Sequence, residues 1–386
     1  MPIDVSIGTG SAENLDVLEY LAPHIARMGS LIIQADHVIH IASLFFCNPA
    51  PLLQHLEIHT LESVVHLPNN FLGQQAPSLR SVNFGRACPT LESLFPLPNL
   101  TEFHLSLVDS TTPFRVGALF RFFSESPLLQ KVCVNVYDRS AQDVSLDKVI
   151  SLESLVELDF GYICAGQILP FLRLPRLKRL QVTSLELRQA QTLADILPHG
   201  GRPLLAGVTK MLYDSDPLEP SRTVKLSGNG VDVSFRATAS TPVDWSPDQT
   251  CIPFGQIEDL EFRGCSPVPT GFPINFFALE NLRVLRVALF EEEPIKALLR
   301  SLHPDPGAAD IPCRSLQEIE ADCTYWDSLG PLPRMLVSLV KERKRAGYQL
   351  RLVSLVVGYD ESHRDFLEEL KEHVGEVRVR EWNEGV

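Results

Sequence analysis

The chain has 386 residues, of which 45% are hydrophobic and 21% are charged, and its formal net charge is -14 at pH 7. Such a composition is typical of a globular protein with enough apolar residues for a large core. The strong acidity argues against binding to nucleic acid or to anionic lipid. No apolar run approaches the roughly 18 residues of a transmembrane helix. We therefore expect protein partners, with no nucleic acid and no membrane involved.

The eight cysteines are scattered along the chain, and no Cys-x-x-Cys pair occurs. In a chain of this length, such spacing is more typical of reduced, buried thiols than of a disulfide framework. The N-terminus also lacks the basic and apolar segments of a secretory signal. We therefore expect an intracellular protein, either cytoplasmic or nuclear.

The first elements alternate between strands and helices. Residues Ile3–Ile7 alternate apolar with polar side chains, as in a strand. Helical spacing follows over Asp16–Met28, although Pro23 interrupts it. The sequence then predicts a short strand at Leu31–Ile33 and a helix at Ile39–Cys47.

An apolar skeleton recurs from end to end: an apolar residue, two spacers, a second apolar residue, one spacer and a third apolar residue. The stretch Pro51-Leu-Leu-Gln-His-Leu-Glu-Ile58 carries it at Leu53, Leu56 and Ile58. The complete set is Met28/Leu31/Ile33, Leu53/Leu56/Ile58, Leu79/Val82/Phe84, Leu100/Phe103/Leu105, Leu129/Val132/Val134, Leu155/Leu158/Phe160, Leu177/Leu180/Val182, Ile257/Leu260/Phe262, Leu282/Leu285/Val287, Leu316/Ile319/Ala321 and Leu352/Leu355/Val357.

The spacing of these skeletons predicts a repeat architecture. The first seven begin 21 to 29 residues apart, which is the length of a leucine-rich repeat. Each unit supplies a strand whose alternate residues enter the core, and units must stack because one alone cannot bury its apolar face. We therefore predict an α/β fold: a single irregular leucine-rich-repeat solenoid over residues 1–386, a horseshoe with parallel strands on the concave face and helices outside. A proline commonly precedes the skeleton, where it is expected to end a helix and start an extended segment.

The period fails between about residues 198 and 250. There, two alternating stretches flank Ser227-Gly-Asn-Gly230, which is a hairpin signal because Asn-Gly accommodates positive φ. We interpret 198–250 as an irregular insertion or hairpin within the solenoid. The skeleton resumes at Ile257.

The C-terminal part predicts helices at Glu291–Leu302 and Pro333–Ala346. In the second helix we expect Met335 and Leu336 to face inward, and a basic group to face outward: Lys341, Arg343, Lys344 and Arg345. Gly347 is its expected C-cap. Residues 358–386 are predicted to form a charged helix and a last strand that cap the open end of the array.

No stretch of the sequence carries a recognisable catalytic motif. Gly8-Thr-Gly10-Ser11 reads as a turn rather than a phosphate loop, because no Gly-Lys-Ser/Thr follows. Asp36, His37 and His40 are more consistent with a polar helix start than with a metal site. The acidic residues Tyr213-Asp-Ser-Asp216 and Glu291–Glu293 read as a solvated turn and a helix-capping run. The sequence predicts no enzyme, no cofactor and no metal; the remaining alternative is an enzyme with a site in 198–250.

Several units resemble the irregular leucine-rich repeats of F-box proteins from mushroom-forming fungi. The resemblance is carried by Pro51-Leu-Leu-Gln-His-Leu-Glu-Ile58, Pro77-Ser-Leu-Arg-Ser-Val-Asn-Phe84, Pro98-Asn-Leu-Thr-Glu-Phe-His-Leu105 and Phe122-Phe-Ser-Glu-Ser-Pro-Leu-Leu-Gln-Lys-Val132. It implies a substrate receptor of a cullin–RING ubiquitin ligase, with the box docking the adaptor and the solenoid holding the target. The box itself, of the Leu-Pro-x-Glu-Ile/Leu type, is not recognisable, and the sequence begins where we expect the box to have ended. Adaptor binding is expected only with an upstream box.

We accordingly predict a non-catalytic protein-interaction solenoid that recognises its partner with the concave strand face. The strand residues that lie between core positions are the best candidates for contact: Glu57, Asn83, His104, Asp159 and Gln181. The alternatives are a leucine-rich-repeat scaffold unrelated to ubiquitin and, for each residue, a merely solvated side chain.

Overall fold

A computed structural model describes residues 2–8, 20–34, 46–60, 65–68, 70–88, 97–107, 116–136, 148–161, 165–185, 197–199, 202–215, 221–238, 252–264, 275–289, 292–304, 311–323, 331–357 and 364–381. The chain divides into two compact units. Unit 1 comprises Met1–Glu186 and Asp195–Gly201, and unit 2 comprises Leu187–Ala194 and Arg202–Val386. The two units are described separately below.

Eight parallel strands form the sheet of unit 1, and their order in the sheet is their order in the chain. They are β1 (Ile3–Ile7), β2 (Met28–Gln34), β3 (His55–His59), β4 (Ser81–Gly85), β5 (Glu102–Leu107), β6 (Lys131–Val136), β7 (Glu157–Gly161) and β8 (Arg179–Leu185). Two-residue parallel pairs accompany this sheet, Val65–His66 with Ala87–Cys88 and Ile150–Ser151 with Leu172–Arg173.

A tight turn precedes each strand from β3 to β8. The N–H of the first skeleton residue donates to the carbonyl three residues earlier, as from Leu53 to Ala50 (3.2 Å) and from Leu100 to Leu97 (3.0 Å). The same bond recurs at Leu79, Leu129, Leu155 and Leu177, and in unit 2 at Val208, Ile257, Leu282 and Leu316. The prolines that precede the skeletons occupy the second position of these turns, where their fixed φ is favourable: Pro51, Pro77, Pro98, Pro127 and Pro175. Their role is therefore more specific than the helix-ending one expected from the sequence.

The skeleton residues form the core, as predicted. Leu53, Leu56 and Ile58 are fully buried, and the skeletons of the neighbouring strands are buried with them. A column of phenylalanine rings runs behind the strands, with centroid distances of 5.3 to 6.5 Å from Phe46 through Phe71 and Phe84 to Phe103. Phe103 then contacts Phe122, on the helix Val116–Glu125, at 4.5 Å.

The other helical segments of unit 1 are short. An α-helical turn spans Ala165–Ile168, and 3₁₀ turns span Ala22–Arg27, Phe71–Gln74 and Leu169–Phe171. The helix predicted up to Met28 ends earlier, because Met28 already begins β2. Most of the helix predicted at Ile39–Cys47 lies outside the described residues.

Unit 2 also contains eight strands, ordered β11-β10-β9-β12-β13-β14-β15-β16. They are β9 (Lys210–Ser215), β10 (Ser221–Gly228), β11 (Val231–Thr238), β12 (Asp259–Gly264), β13 (Val284–Leu289), β14 (Glu318–Cys323), β15 (Leu352–Val357) and β16 (Glu376–Glu381). The pairs from β9 through β12 to β16 are parallel, whereas β9–β10 and β10–β11 are antiparallel. The helices are Arg202–Leu205, Glu292–Leu302, Leu332–Arg345 and Arg364–His373, with 3₁₀ turns at Phe254–Gln256 and Phe276–Ala278.

The hairpin predicted near Asn-Gly is present as β10 and β11. Asn229 and Gly230 both have positive φ, +47° and +78°, as a two-residue turn of this kind requires. The acidic stretch at Tyr213, predicted as a solvated turn, is instead part of β9 through Ser215, and Tyr213 is buried. Val208, Met211 and Tyr213 thus form a skeleton within the region where the period was expected to fail.

The last predicted skeleton is two residues out of register. Val353 and Leu355 pair with Ile319 and Ala321 of the preceding strand, so the true skeleton is Leu350, Val353 and Leu355. The helix Arg364–His373 and strand β16 follow, as predicted for the C-terminal segment. Their capping role stays a prediction.

Arg343 is buried, contrary to the prediction that it faces outward. Its Nη1 and Nη2 each donate at 2.8 Å, to the carbonyls of Pro312 and Cys313. Burial lowers the pKa of this guanidinium, because removal from water disfavours the charged form. The other three basic residues of the predicted group are at least partly exposed. Gly347 has φ +88° directly after the helix, as expected of a residue that ends it.

The described residues therefore form an α/β fold with mostly parallel sheets, and in neither unit do they form a closed sheet. Helices are few, and the longest spans Leu332–Arg345.

The phenylalanine column predicts a strong dependence of unit 1 on Phe103. Replacing Phe103 with alanine removes a buried ring and leaves a cavity, which costs about 3–5 kcal/mol of unfolding free energy. The matched change at Phe277, which is 48% exposed, is expected to cost less than about 1 kcal/mol. Urea unfolding followed by circular dichroism measures both. Equal losses would contradict a packing role for the column.

Arg343→Met is expected to destabilise unit 2 by about 2–4 kcal/mol, because it leaves two buried carbonyls without donors. Arg345→Met, on the same helix but exposed, serves as the control and is expected to change stability by no more than about 0.5 kcal/mol. The same unfolding measurement applies. A neutral effect at Arg343 would show that the two carbonyls find other donors.

Candidate functional site

The five residues predicted to face a partner lie in one row across unit 1. Register pairing aligns them on adjacent strands, with Cys133 of β6 completing the series. This central row is Glu57, Asn83, His104, Cys133, Asp159 and Gln181. Sequence reasoning did not rank Cys133 among the leading residues, although the same alternation places it there. The binding role of the row stays a prediction.

A depression follows the central row from Asn83 to Gln181. It also follows the whole of the row before it, which consists of His55, Ser81, Glu102, Lys131, Glu157 and Arg179. Its cavity volume is about 430 Å³, and it extends from His55 on β3 to Gln181 on β8. The core residues Val82, Phe103 and Leu158 also line it. Six strands thus contribute to one polar-walled, open site.

Glu57 is held at one end by two histidines. Its Oε1 lies 2.8 Å from Nε2 of His59, and its Oε2 lies 3.5 Å from Nε2 of His55. Asn83 Nδ2 lies 3.3 Å from the same nitrogen of His59. Gly85 makes room for this arrangement, since a Cβ there would lie 2.1 Å from His59 Nδ1. His59 and Gly85 are functional neighbours that the alternation rule alone did not single out.

His104 occupies the middle of the row and is half-buried. Burial lowers its pKa, His59 lowers it further, and Glu57 opposes both effects. An imidazole that loses water in this way favours the neutral form. His104 therefore presents one donor and one acceptor rather than a charge at neutral pH.

Cys133, Asn135 and Asp159 form the second polar cluster. The Cys133 thiol donates to Asp159 Oδ2 at 3.7 Å and accepts from Asn135 Nδ2 at 3.2 Å. Burial and the neighbouring carboxylate raise the pKa of Cys133 to about 12, so the thiol stays protonated. Gly161 makes this cluster possible, because a Cβ there would lie 1.9 Å from Asn135 Oδ1.

Two acceptor atoms in the central row are left unsatisfied. Asn83 Oδ1 and Asp159 Oδ1 are buried and have no hydrogen-bond donor among the described residues. Burial also raises the pKa of Asp159, while the bond from Cys133 opposes the shift only in part. The cationic residues of the preceding row are already paired: Lys131 with Glu102 at 3.5 Å and Arg179 with Glu157 at 3.3 Å.

The corresponding strand face of unit 2 compensates its own charges. Arg286 lies between Asp259 and Glu320, with the second contact at 3.0 Å, and the hydrogen bond that it donates to Asp259 is the main cause of its raised pKa. Arg351 pairs with Glu318 and Arg263 with Glu261. The unsatisfied acceptors therefore set the face of unit 1 apart.

Other sequence candidates do not converge on this site. Asp36, His37 and His40 lie outside the described residues. Glu292 and Glu293 open a helix and pair with Lys296, as expected of a capping run. Among the residues with assigned positions, no group of three or more His, Cys, Asp or Glu side chains is arranged to hold a metal ion. Over the same residues, no helix is long and apolar enough to cross a membrane.

Comparison with known proteins adds no identification. No protein-family model matches the sequence, and no curated protein matches it. The site must therefore be interpreted from its own geometry.

The raised pKa of Asp159 predicts a pH-dependent stability difference. Between the ordinary value of 3.8 and the higher folded value, the folded state binds more protons than the unfolded state, so stability falls as pH rises through this interval. Asp159→Asn removes the effect and keeps an acceptor for Cys133. The variant is expected to be at least as stable as the wild type at neutral pH, and the difference is expected to vanish below pH 3.8.

Urea unfolding at a series of pH values measures this difference. Glu153→Gln, at an exposed turn carboxylate of unit 1, is the matched loss of one charge and is expected to show no such trend. A wild type that is clearly more stable than Asp159→Asn at neutral pH would contradict the assignment of Asp159 as a burial-destabilised carboxylate.

Proposed function

We propose that the chain is a non-catalytic, protein-binding leucine-rich-repeat solenoid that holds its partner on the strand face of unit 1. One observation carries the proposal: a row of polar side chains on six consecutive strands lines an open depression and retains two unsatisfied acceptors. Buried acceptors without donors cost free energy. A partner that supplies donors would recover this cost.

Support for the solenoid comes from the way each repeat is assembled. A turn, a strand and a return segment recur, and the strands of unit 1 follow one another in parallel without a change of order. Skeleton spacings of 21 to 29 residues match those of leucine-rich repeats. Stacked repeats of this kind present extended surfaces that suit protein partners.

The form of the depression favours a protein over a small molecule. It is open and is lined by residues from β3 to β8, and six strands at about 4.8 Å spacing extend over about 24 Å. Small-molecule sites are enclosed and mostly apolar. Here eleven of the fifteen lining residues have polar or titratable side chains.

The resemblance of the repeats to those of fungal F-box proteins extends the proposal to a cellular role. The chain would be the substrate-binding part of an F-box-type receptor of a cullin–RING ubiquitin ligase. In that role, the strand face holds the target and an upstream box docks the adaptor. A scaffold unrelated to ubiquitin would use the same face without the adaptor.

A double variant that fills the depression tests partner binding. Ser81→Trp with Gln181→Trp places indole rings in the site on β4 and β8, whereas Ser124→Trp with Gln75→Trp adds the same groups at exposed positions outside it. Proteins captured by each variant from cells of the source organism are compared with those captured by the wild type by quantitative mass spectrometry. The first variant is expected to lose captured partners by about tenfold, equivalent to ~1.4 kcal/mol, and the control to retain them.

Equal capture by the two double variants would reject the face as the binding surface. The ligase role is tested separately, by co-purification of the cullin adaptor with the chain, with and without any upstream coding sequence. Partner capture without adaptor in either form would favour the scaffold.

A further inference from the structure

We propose that the depression of unit 1 takes an extended, basic segment of the partner protein, with a lysine or arginine side chain ion-paired to Asp159. This inference rests on the proposed function and names the chemistry of the partner. It narrows the partner from any protein to one that offers a basic, extended segment.

The length of the site fits an extended segment. The depression crosses six parallel strands, a distance of about 24 Å at ~4.8 Å per strand. An extended chain advances about 3.3–3.6 Å per residue, so roughly seven residues cover it. A helix of the same length needs about 16 residues and is about 10 Å wide, which suits the narrow row less well.

The charge balance of the face fits a cation. Lys131 and Arg179 each have a carboxylate partner in their own row. Asp159 has no cationic partner in the described part of the chain, and its one recorded donor is the weak thiol of Cys133. An added ammonium or guanidinium group beside Asp159 therefore meets an uncompensated charge in a partly desolvated position, where the attraction is stronger than in bulk water.

The unsatisfied acceptors fit a donor-bearing ligand. Asn83 Oδ1 and Asp159 Oδ1 both lack donors, and their strands are three steps apart in the sheet, or about 14 Å. In an extended segment, two residues four positions apart are separated by about the same distance. Two donor side chains at that spacing can therefore lie over Asn83 and Asp159 at once, and a rotation of each of these side chains would bring its buried acceptor to the donor.

Asp159 can present its unsatisfied oxygen without a change of backbone. The side chain lines the depression and is half-buried rather than enclosed, and the torsion about its Cβ–Cγ bond is soft. A partial rotation can therefore turn a carboxylate oxygen toward a ligand. A bound cation would also lower the raised pKa of Asp159 toward its ordinary range.

An acidic segment fits the same face poorly. The central and preceding rows contain four carboxylates, Glu57, Glu102, Glu157 and Asp159, against the two cations Lys131 and Arg179. The carboxylates of an acidic segment would face both unsatisfied acceptors and could donate a hydrogen bond to neither. The chain as a whole is acidic, with a net charge of -14, which further favours encounter with a basic partner.

Three fluorescent peptides of about nine residues test the inference. They share one Ser/Thr-rich background and carry Arg, Gln or Glu at two positions four residues apart, and their binding to the full chain is measured by fluorescence anisotropy at low salt. The Arg peptide is expected to bind about tenfold more tightly than the Gln peptide. Asp159→Asn is expected to remove most of this preference, whereas Glu153→Gln is expected to leave it within about twofold.

A gain of affinity provides a second readout that misfolding cannot imitate. Lys131→Gln removes a like charge from the depression and releases Glu102, so the Arg peptide is expected to bind about threefold more tightly to this variant. Circular dichroism confirms that each variant is folded.

The inference is overturned if the Glu peptide binds best, if Asp159→Asn behaves like Glu153→Gln, or if none of the peptides binds at millimolar concentration. These outcomes leave the proposed function standing whenever the tryptophan variants still separate in the capture experiment. If the tryptophan variants also capture partners equally, the proposed function fails with it.

Discussion

The in-register stacking of parallel strands is the constraint on which the rest of unit 1 depends. From β3 to β8, each strand begins at a turn closed by the first skeleton residue, so these strands enter the sheet at the same level. Alternation then sends the second and third skeleton residues behind the sheet and the residues between them in front. The phenylalanine column fills the space behind, from Phe46 to Phe123. Because the strands share one register, the residues on the front of the sheet line up in rows.

Rows of this kind bring like positions close together, and the two units respond differently. Neighbouring strands are about 4.8 Å apart, so each polar side chain must suit those on both sides. In unit 2, Arg286 lies between Asp259 and Glu320 and pairs with both. In unit 1, Gly85 and Gly161 leave space for His59 and Asn135. The central row keeps a half-buried carboxylate without a cationic partner. The same architecture thus produces one self-compensated face and one that is not.

The sequence predicts the skeletons, and hence the central row, because a period of two in a strand leaves little freedom once the core positions are known. The prediction fails where a residue is not of the type expected at its position. Met211 and Tyr213 are atypical skeleton residues, so β9 was expected to be a turn. Leu350-Arg-Leu-Val-Ser-Leu-Val-Val357 fits the skeleton spacing at two positions that lie two residues apart, and only pairing with β14 decides between them. The burial of Arg343 could not be predicted, because a charged residue is expected at the surface. Its carbonyl partners, at Pro312 and Cys313, lie some thirty residues away in the chain.

Contacts between rows were beyond the sequence for a related reason. The bonds from Cys133 to Asp159 and from His59 to Glu57 depend on side-chain directions and on the absence of a Cβ at Gly85 and Gly161, which no periodicity encodes. These contacts also explain why the face of unit 1 is a better candidate for recognition than its composition suggests. Neutral His104 and the protonated Cys133 thiol carry no charge that could balance Asp159, and two acceptors of the row lack donors. A folded chain tolerates such acceptors at a cost in stability, which a donor-bearing partner of the proposed kind would reduce.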